Sequence, residues 1–125
     1  MIPMYFGFKN ISVGYRNKTV LSDLTLDIPE GRIVTLIGQN GCGKSTLLKT
    51  VSKAVTPKSG SVLYRDRELR DYAPKKLAQR ISYLAQVHES PPDIDVRTLV
   101  SYGRFPYSVF GRGLTMADKE IIDRA

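Results

Sequence analysis

Hydrophobic residues near the start of the chain alternate with polar ones, the pattern of half-buried β-strands. The alternating positions are Phe6 and Phe8, then Leu24, Leu26 and Ile28. Gly14 and the Arg-Asn-Lys run at residues 16–18 are turn-forming residues between the two runs. The pattern predicts two β-strands within residues 5–28, followed by a Pro-Glu-Gly turn at residues 29–31.

The pattern then changes to a continuous apolar run. Residues 33–37 read I-V-T-L-I, which predicts a parallel strand buried on both faces. After a glycine-rich stretch, helical spacing appears at Leu47, Leu48, Val51, Ala54 and Val55. Pro57 and the Ser-Gly pair at residues 59–60 end this segment. The order predicted here is strand, loop, helix.

The second half of the chain predicts shorter elements. We expect a strand at residues 61–64 with an exposed charged continuation at residues 65–71, a short helix at residues 74–79 and a strand at residues 81–85. A helix follows from Val96 and is expected to end near Gly103. Pro106 then stiffens a loop that carries Arg104 and aromatic residues. Thr115 and Asp118 form a capping-box pattern that opens a helix at Met116.

The glycine-rich stretch carries the strongest chemical signal. Residues 38–45 read G-Q-N-G-C-G-K-S, a complete match to the phosphate-binding pattern G-x-x-x-x-G-K-[ST]. Glycines let several backbone N–H groups approach phosphate oxygens, and the following helix adds its positive end. Lys44 can reach the β- and γ-phosphates, and Ser45 can offer a hydroxyl to Mg²⁺. The predicted nucleotide-binding residues are Gly38, Asn40, Gly41, Cys42, Gly43, Lys44, Ser45 and Thr46.

Composition fits one globular domain. The 125 residues are 42% hydrophobic and 25% charged, and no apolar run approaches the ~18 residues of a membrane span. The N-terminal residues form no signal-peptide pattern, so we expect no export. Cys42 is the single cysteine, so no internal disulfide can form, in keeping with a reducing compartment.

The net charge of +7 is local in origin. Between Arg32 and His88 there are eleven Lys and Arg against three Asp and Glu. Some of this excess is expected around a polyphosphate site. The remainder is interleaved with acidic residues, which favours a solvated surface, and we expect no nucleic-acid partner because no nucleic-acid-binding module is recognisable.

Residues 5–86 resemble the N-terminal part of the ATP-binding subunit of an ABC transporter. Tyr15, upstream of the phosphate loop, matches the aromatic residue that stacks on adenine in that family. Gln86 ends S-Y-L-A-Q and matches the family's glutamine near Mg²⁺ and the attacking water. The resemblance therefore implies catalytic roles for Lys44 and Gln86, and metal contacts from Ser45 and Gln86. His88 is expected to be a loop histidine, since the family's switch histidine lies farther along the sequence.

A finer resemblance lies after the glutamine. V-R-T-L-V-S-Y-G-R-F-P-Y at residues 96–107 is similar to a segment of importer ATPases for ferric siderophores, haem and cobalamin. Gly111, Arg112 and the T-M-A-D run at residues 115–118 fit the same subfamily. The resemblance implies ATP and Mg²⁺ as cofactors, transmembrane permease subunits and a second ATPase subunit as partners, and a cytoplasmic place on the inner face of the cell membrane.

The fold class predicted is α/β: a P-loop NTPase with an N-terminal antiparallel β subdomain and the start of a helical subdomain. Residues 1–125 are expected to form the N-terminal part of one ATPase domain, with a β subdomain at about 1–30, a P-loop core at 31–90 and helical residues at 91–125. The sequence contains no L-S-G-G-Q signature and no second acidic strand. We therefore expect the 125 residues alone to bind ATP–Mg without hydrolysing it.

Two alternatives stay open. One is another P-loop enzyme, such as a small-molecule kinase or a GTPase; Tyr15, Gln86 and the absence of an N-K-x-D guanine motif count against it. The other is a non-transport ABC ATPase, which only the basic excess supports.

A central strand at residues 33–37 without paired neighbours would make the isolated chain prone to association.

Overall fold

The computed structural model describes residues 3–86 and 93–125. Within them the chain forms two compact units, Met1–Ala73 and Pro74–Ala125. His88, expected to be a loop histidine, lies outside the described residues. The division into a β subdomain, a P-loop core and a helical subdomain stays a prediction.

The first unit is built on an antiparallel sheet. Its strands are β1 (Met4–Tyr15), β2 (Lys18–Pro29), β3 (Ser59–Tyr64) and β4 (Arg67–Glu68), in the spatial order β2-β1-β3-β4. The predicted hairpin is confirmed, and its tight turn places Arg16 at φ 48°. Gly31, at φ 71°, occupies the left-handed position of the predicted turn after β2.

The core of the first unit lies on β1 and β3. Phe8, Ile11 and Val13 lie on β1, which is paired on both sides, and are at most 2% exposed. Other buried apolar side chains in this unit are Phe6, Leu47, Val62, Leu63, Tyr64 and Leu69. Gly60, at φ 80°, lies so close to β1 that a Cβ there would be 2.4 Å from the carbonyl oxygens of Lys9 and Asn10. Only glycine allows this approach of β3 to β1.

Helix α1 (Lys44–Val51) follows the phosphate loop as predicted, but it is shorter than its apolar spacing suggests. Ala54 and Val55 lie beyond its end, and Leu48 is 48% exposed. Lys53 adopts φ 62°, which no α-helix can continue through. The helix therefore ends one turn early.

The expectation of a buried strand at residues 33–37 is wrong in this structure. The segment has no regular secondary structure, and Ile33 and Ile37 are 99% and 92% exposed. The strand predicted at residues 81–85 is absent too, and Leu84 is 85% exposed. A strand exists only through its partner's hydrogen bonds, and the part of the chain that the structure describes pairs neither segment.

The charged continuation of β3 also differs from the prediction. Arg65 and Asp66 adopt φ 48° and 63°, and this turn folds β4 back against β3. A 3-10 helix at Leu69–Asp71 follows. The side chains stay exposed as predicted at Arg65, Arg67 and Arg70, but the chain reverses direction.

The described residues of the second unit form three short α-helices, α2 (Pro74–Ala78), α3 (Val96–Ser101) and α4 (Met116–Arg124). The helix ends close to Gly103 as predicted, since α3 ends at Ser101. A 3-10 helix at Tyr102–Tyr107 follows it, so the prediction that Arg104 lies on a loop is wrong. The 3-10 turns tolerate Pro106, whose missing N–H removes one bond only. The predicted capping box at the start of α4 is confirmed.

Candidate nucleotide-binding site

The backbone of residues 38–45 forms a turn that depends on two left-handed glycines. Gly41 has φ 83° and Gly43 has φ 103°. The Cys42 N–H donates to the carbonyl oxygen of Gln39 at 3.3 Å, and Leu47 N–H donates to Gly43 at 2.8 Å. Helix α1 therefore begins directly after the second glycine, and its first N–H groups have no intrahelical acceptor. A helix N-terminus reached through such a turn suits an anion.

The Lys44 side chain folds back over this turn. Its Nζ donates to the carbonyl oxygens of Gly38 and Gln39 at 2.6 and 2.7 Å, and lies 3.6 Å from Cys42 Sγ. A Cβ at Gly38 would lie 2.7 Å from that sulfur. The ammonium group is thus held at the phosphate loop itself, and Gly38 is needed to make room for Cys42.

Ser45 and Thr46 occupy the first turn of α1 with different exposure. Ser45 is exposed, so its hydroxyl can reach a metal ion beside the loop. Thr46 is 7% exposed and packs into the first unit, so the group it can offer a nucleotide is its backbone N–H. Asn40 and Gly41 are exposed at the crest of the loop, and no atom approaches within 4 Å of a Cβ placed on Gly41.

Tyr15 lies at the end of β1, opposite Lys18 in the hairpin, and is 49% exposed. Two residues past Lys18, the hairpin meets the phosphate loop. A Cβ on Gly43 would be 3.2 Å from Val20 Cγ1 and 3.4 Å from Leu21 Cβ. The hairpin that carries Tyr15 therefore also supports the second left-handed glycine. The sequence does not predict this contact between Val20 and Gly43, because Val20 has the pattern of an ordinary strand residue.

Gln86 belongs to the second unit and is exposed. Tyr15 and the phosphate loop belong to the first unit, whereas Gln86 lies in the second. The metal contact expected of Gln86 stays a prediction.

A polar cluster of the second unit surrounds Asp118, at the start of α4. The Thr115 hydroxyl and backbone N–H donate to its carboxylate at 2.7 and 2.9 Å, and Arg104 Nε donates to its other oxygen at 2.7 Å. The side chains of Arg104 and Asp118 are only 19% and 12% exposed. Hydrogen bonds from Thr115, and then from Arg104, lower the Asp118 pKa from its ordinary 3.8 to about 2.

Arg104 and Tyr107 extend this cluster to α2. The Arg104 guanidinium lies 4.0 Å from the centre of the Tyr107 ring, and the Tyr107 hydroxyl donates to the Gln79 carbonyl at 3.1 Å. Gln79 Nε2 in turn donates to the Pro106 carbonyl at 2.7 Å. The capping pattern predicted the Thr115–Asp118 contact. The pairing with Arg104 depends on how the intervening loop folds, and no spacing rule reveals it.

A glycine-rich phosphate loop and a helix that begins at its lysine are features of P-loop nucleotide-binding domains. Comparison with known proteins gives the family. Residues 21–124 match the protein-family model described as ABC transporter. The chain belongs to the ABC transporter ATP-binding family, as the resemblance predicted.

Two curated relatives illustrate the relationship. The chain is 42% identical over 115 residues to the iron(3+)-hydroxamate import ATP-binding protein FhuC of Bacillus subtilis, and 40% identical over 117 residues to the ferric enterobactin transport ATP-binding protein FepC of Escherichia coli. The alignments cover 91% and 94% of this chain but 42% and 43% of the relatives. The chain thus spans less than half the length of these relatives.

Solved structures agree on the fold. A structure of an ATP-binding subunit of an ABC transporter aligns with a TM-score of 0.75 at 26% identity, covering 94% of this chain and 46% of that one. An ABC transporter ATP-binding protein from Pyrococcus furiosus aligns with a TM-score of 0.66 at 32% identity, covering 78% of this chain and 46% of that one. The predicted fold class is therefore confirmed.

Across residues 3–86 and 93–125, no helix combines the length and apolar character needed to cross a membrane.

Proposed function

We propose that residues 38–45 bind the phosphates of ATP–Mg, and that the chain is the nucleotide-binding part of an importer's ATP-binding subunit. The observation that carries this proposal is the backbone of the loop. Gly41 and Gly43 adopt φ values that favour glycine, and they deliver the chain to the N-terminus of α1 beside the Lys44 ammonium group. Fixed N–H donors and a lysine match a polyphosphate.

The remaining nucleotide contacts follow from position. Tyr15, half exposed on the hairpin that supports Gly43, offers a flat ring for adenine stacking. The exposed Ser45 hydroxyl is the metal ligand proposed at the phosphate loop, and the exposed Gln86 is proposed as a second one through its amide oxygen. When bound, Mg²⁺ would neutralise charge on the β- and γ-phosphate oxygens.

The direct test is titration calorimetry of the 125-residue chain with Mg-ATP. Lys44→Ala is expected to weaken binding at least tenfold, because a charge-assisted contact to phosphate is lost. Lys119→Ala, which removes an exposed lysine from α4, is the matched control and should bind as the unsubstituted chain does. Equal affinity in the two variants would contradict the placement of the phosphates at this loop.

Cys42 gives an independent test because its thiol is exposed within the loop and its sulfur lies 3.6 Å from Lys44 Nζ. Alkylation of Cys42 should block Mg-ATP binding, and saturating Mg-ATP should slow the alkylation. The rates are measured by mass spectrometry with and without nucleotide. Equal rates would show that the nucleotide does not cover this part of the loop.

Hydrolysis is proposed for the complete subunit rather than for these residues alone. Phosphoryl transfer depends on a positioned water and on charge stabilisation, and the 125 residues contain neither the signature motif nor a catalytic acidic strand. We expect the chain to bind ATP–Mg without measurable turnover. Robust turnover that is lost on Lys44→Ala would refute this.

The proposed cargo is a chelated iron compound such as a ferric siderophore, with haem or cobalamin as related possibilities. The support is the segment at residues 96–107 and the relatives named for ferric hydroxamate and ferric enterobactin. The proposed partners are transmembrane permease subunits and a second ATPase subunit, which would place the protein on the cytoplasmic face of the membrane.

A chimera tests this assignment in cells. Residues 1–125 would replace the aligned part of the Bacillus subtilis relative in a strain that lacks that protein, and uptake of ferric hydroxamate would be measured. Uptake that depends on Lys44 supports the importer proposal. A chimera that is made and binds ATP but supports no uptake would count against it.

The non-transport alternative rests on the basic excess alone. Binding of the chain to DNA and RNA is measured across a salt series, beside capture by a membrane permease. Tight, salt-dependent nucleic-acid binding would favour the alternative; we expect capture by the permease instead.

A further inference from the structure

Residues 18–21 of β2 lie between two glycines from different parts of the chain. On one side is Gly14 of β1, where a Cβ would lie 2.0 Å from the Lys18 carbonyl oxygen and 2.8 Å from Thr19 Cα. On the other side is Gly43 of the phosphate loop, where a Cβ would lie 3.2 Å from Val20 Cγ1. The Gly14 contact needs glycine to bring the chains this close, whereas at Gly43 the space is tight and the φ of 103° is what favours glycine.

This arrangement gives two parts of the candidate site one common support. Gly14 precedes Tyr15, and Gly43 precedes Lys44. The same four strand residues thus fix the end of β1 that carries the tyrosine and the start of the helix that carries the lysine. Val20 approaches the loop most closely, since its Cγ1 is the atom nearest to a Cβ built on Gly43, and Leu21 Cβ follows at 3.4 Å.

We propose that Val20 is a positioning residue that fixes the distance between Tyr15 and the phosphate loop, so that one ATP molecule can contact both at once. This inference rests on the proposed ATP-binding function. Val20 acts by packing against Gly43 and needs no contact with the nucleotide.

The physical reason is that the base and the phosphates are two contacts on one ligand. When the first contact is made, the second forms at an effective concentration set by the geometry of the protein. A fixed separation makes that concentration high, whereas a loop free to shift lowers it. The isopropyl group of the half-buried Val20 limits such shifts, because it occupies the space beside Gly43.

The test compares two probes, Mg-ATP and Mg-tripolyphosphate, by calorimetry on the 125-residue chain. Val20→Ala should weaken Mg-ATP binding by about tenfold, or ~1.4 kcal/mol, while Mg-tripolyphosphate binding stays within twofold. Tyr15→Ala should weaken Mg-ATP binding in the unsubstituted chain but add little in the Val20→Ala background. Val20→Ile keeps a branched side chain against Gly43 and should restore Mg-ATP affinity to within about twofold.

Gly14→Ala tests the same coupling from the other side. The added methyl group must push the Lys18 backbone away, and Mg-ATP affinity should fall while Mg-tripolyphosphate affinity stays unchanged. Gly103→Ala is the matched control, because no atom lies within 4 Å of its Cβ position. Circular dichroism identifies any variant that fails to fold, and the binding data are then taken from whichever of Val20→Ala and Gly14→Ala is folded.

If the folded variants lose affinity for Mg-ATP and for Mg-tripolyphosphate to the same extent, Val20 has a structural role only, and the proposal is overturned. Unchanged Mg-ATP affinity in Val20→Ala and Gly14→Ala would overturn it too. If Mg-ATP affinity is unchanged in Val20→Ala and Gly14→Ala but Lys44→Ala abolishes binding of both probes, the ATP-binding function is supported and only the positioning role is refuted. If the unsubstituted chain binds neither probe, the proposed function and this inference fail together.

Discussion

The two units of the molecule use similar apolar residues with opposite results. In the first unit, Phe8, Ile11 and Val13 on the central strand β1 are almost fully buried. In the second unit, Phe105 and Phe110 are 68% and 104% exposed, and the buried apolar side chains in its described residues are Leu77 and Ile122. The first unit is held by apolar burial, and the second by polar contacts around Asp118. Hydrophobic composition alone therefore does not decide which mechanism stabilises a segment.

The sharpest way to break this comparison is to truncate one phenylalanine in each unit. Phe8→Ala should lower the free energy of unfolding of the first unit by about 3–5 kcal/mol, because it leaves a cavity in the core. Phe110→Ala should change stability by less than ~0.5 kcal/mol, since its ring is exposed. Urea unfolding followed by amide exchange in each unit measures both. Similar losses would mean that the second unit buries Phe110 in solution.

A smaller effect is expected from glycine substitution. Gly60→Ala should destabilise the first unit by about 1–3 kcal/mol, because alanine is strained at φ 80° and its methyl group would meet the backbone of β1. Gly113→Ala is the control in the second unit, with no atom within 4 Å of its Cβ position. Thermal melts of both variants give the comparison. Tolerance of Gly60→Ala would show that β3 can move away from β1 at little cost.

The polar cluster of the second unit should respond to acid. The Asp118 pKa is lowered to about 2 in the folded chain, so the ionised carboxylate contributes stability above its ordinary pKa of 3.8. That contribution should be lost as the pH falls from about 4 to about 2. Far-ultraviolet circular dichroism and amide exchange of α4 against pH measure the loss.

Thr115→Val is the matched variant, because it removes the hydroxyl that donates to Asp118 while keeping the shape of the side chain. It should raise the Asp118 pKa and cost about 1 kcal/mol through the lost helix cap. An unchanged acid transition in this variant would mean that Thr115 does not control the carboxylate.

The smallest effect is expected from an exposed ion pair on the sheet. Arg65 and Glu30 form a contact of 2.7 Å, but their side chains are 55% and 43% exposed. Glu30→Gln should cost at most about 1 kcal/mol, and less in high salt, because water screens the pair. Thermal melts at two salt concentrations measure it. A cost comparable to that of Phe8→Ala would mean that polar contacts also dominate the first unit.

Sequence was sufficient for several features that depend on nearby residues. The β1–β2 hairpin, the left-handed turn at Gly31 and the Thr115–Asp118 cap are all set by residues a few positions apart. Residues 33–37 depend on more than nearby residues. Their apolar, β-branched run predicts a strand, but a strand also requires a neighbouring strand, which this local pattern does not specify.

The same division applies to the candidate site. The glycine conformations of the phosphate loop follow from its motif, and the structure has them. The support of Gly43 by Val20 depends on how the sheet places the hairpin, and it could not be predicted from spacing. The adenine contact of Tyr15 and the metal contact of Gln86 remain predictions to be tested by nucleotide binding.

The register of β3 on β1 has a consequence for the order of folding. Phe6 pairs with Tyr64 and Ser12 with Ser59, so the phosphate loop and α1 lie within the chain segment that joins these two strands. The β1–β2 hairpin joins neighbouring residues and can close early, whereas β3 pairing is non-local and therefore slow. During synthesis, the hairpin would be in place before the ribosome has released β3. The phosphate loop would then take its final shape beside a hairpin that is already formed, at the time when β3 pairs with β1.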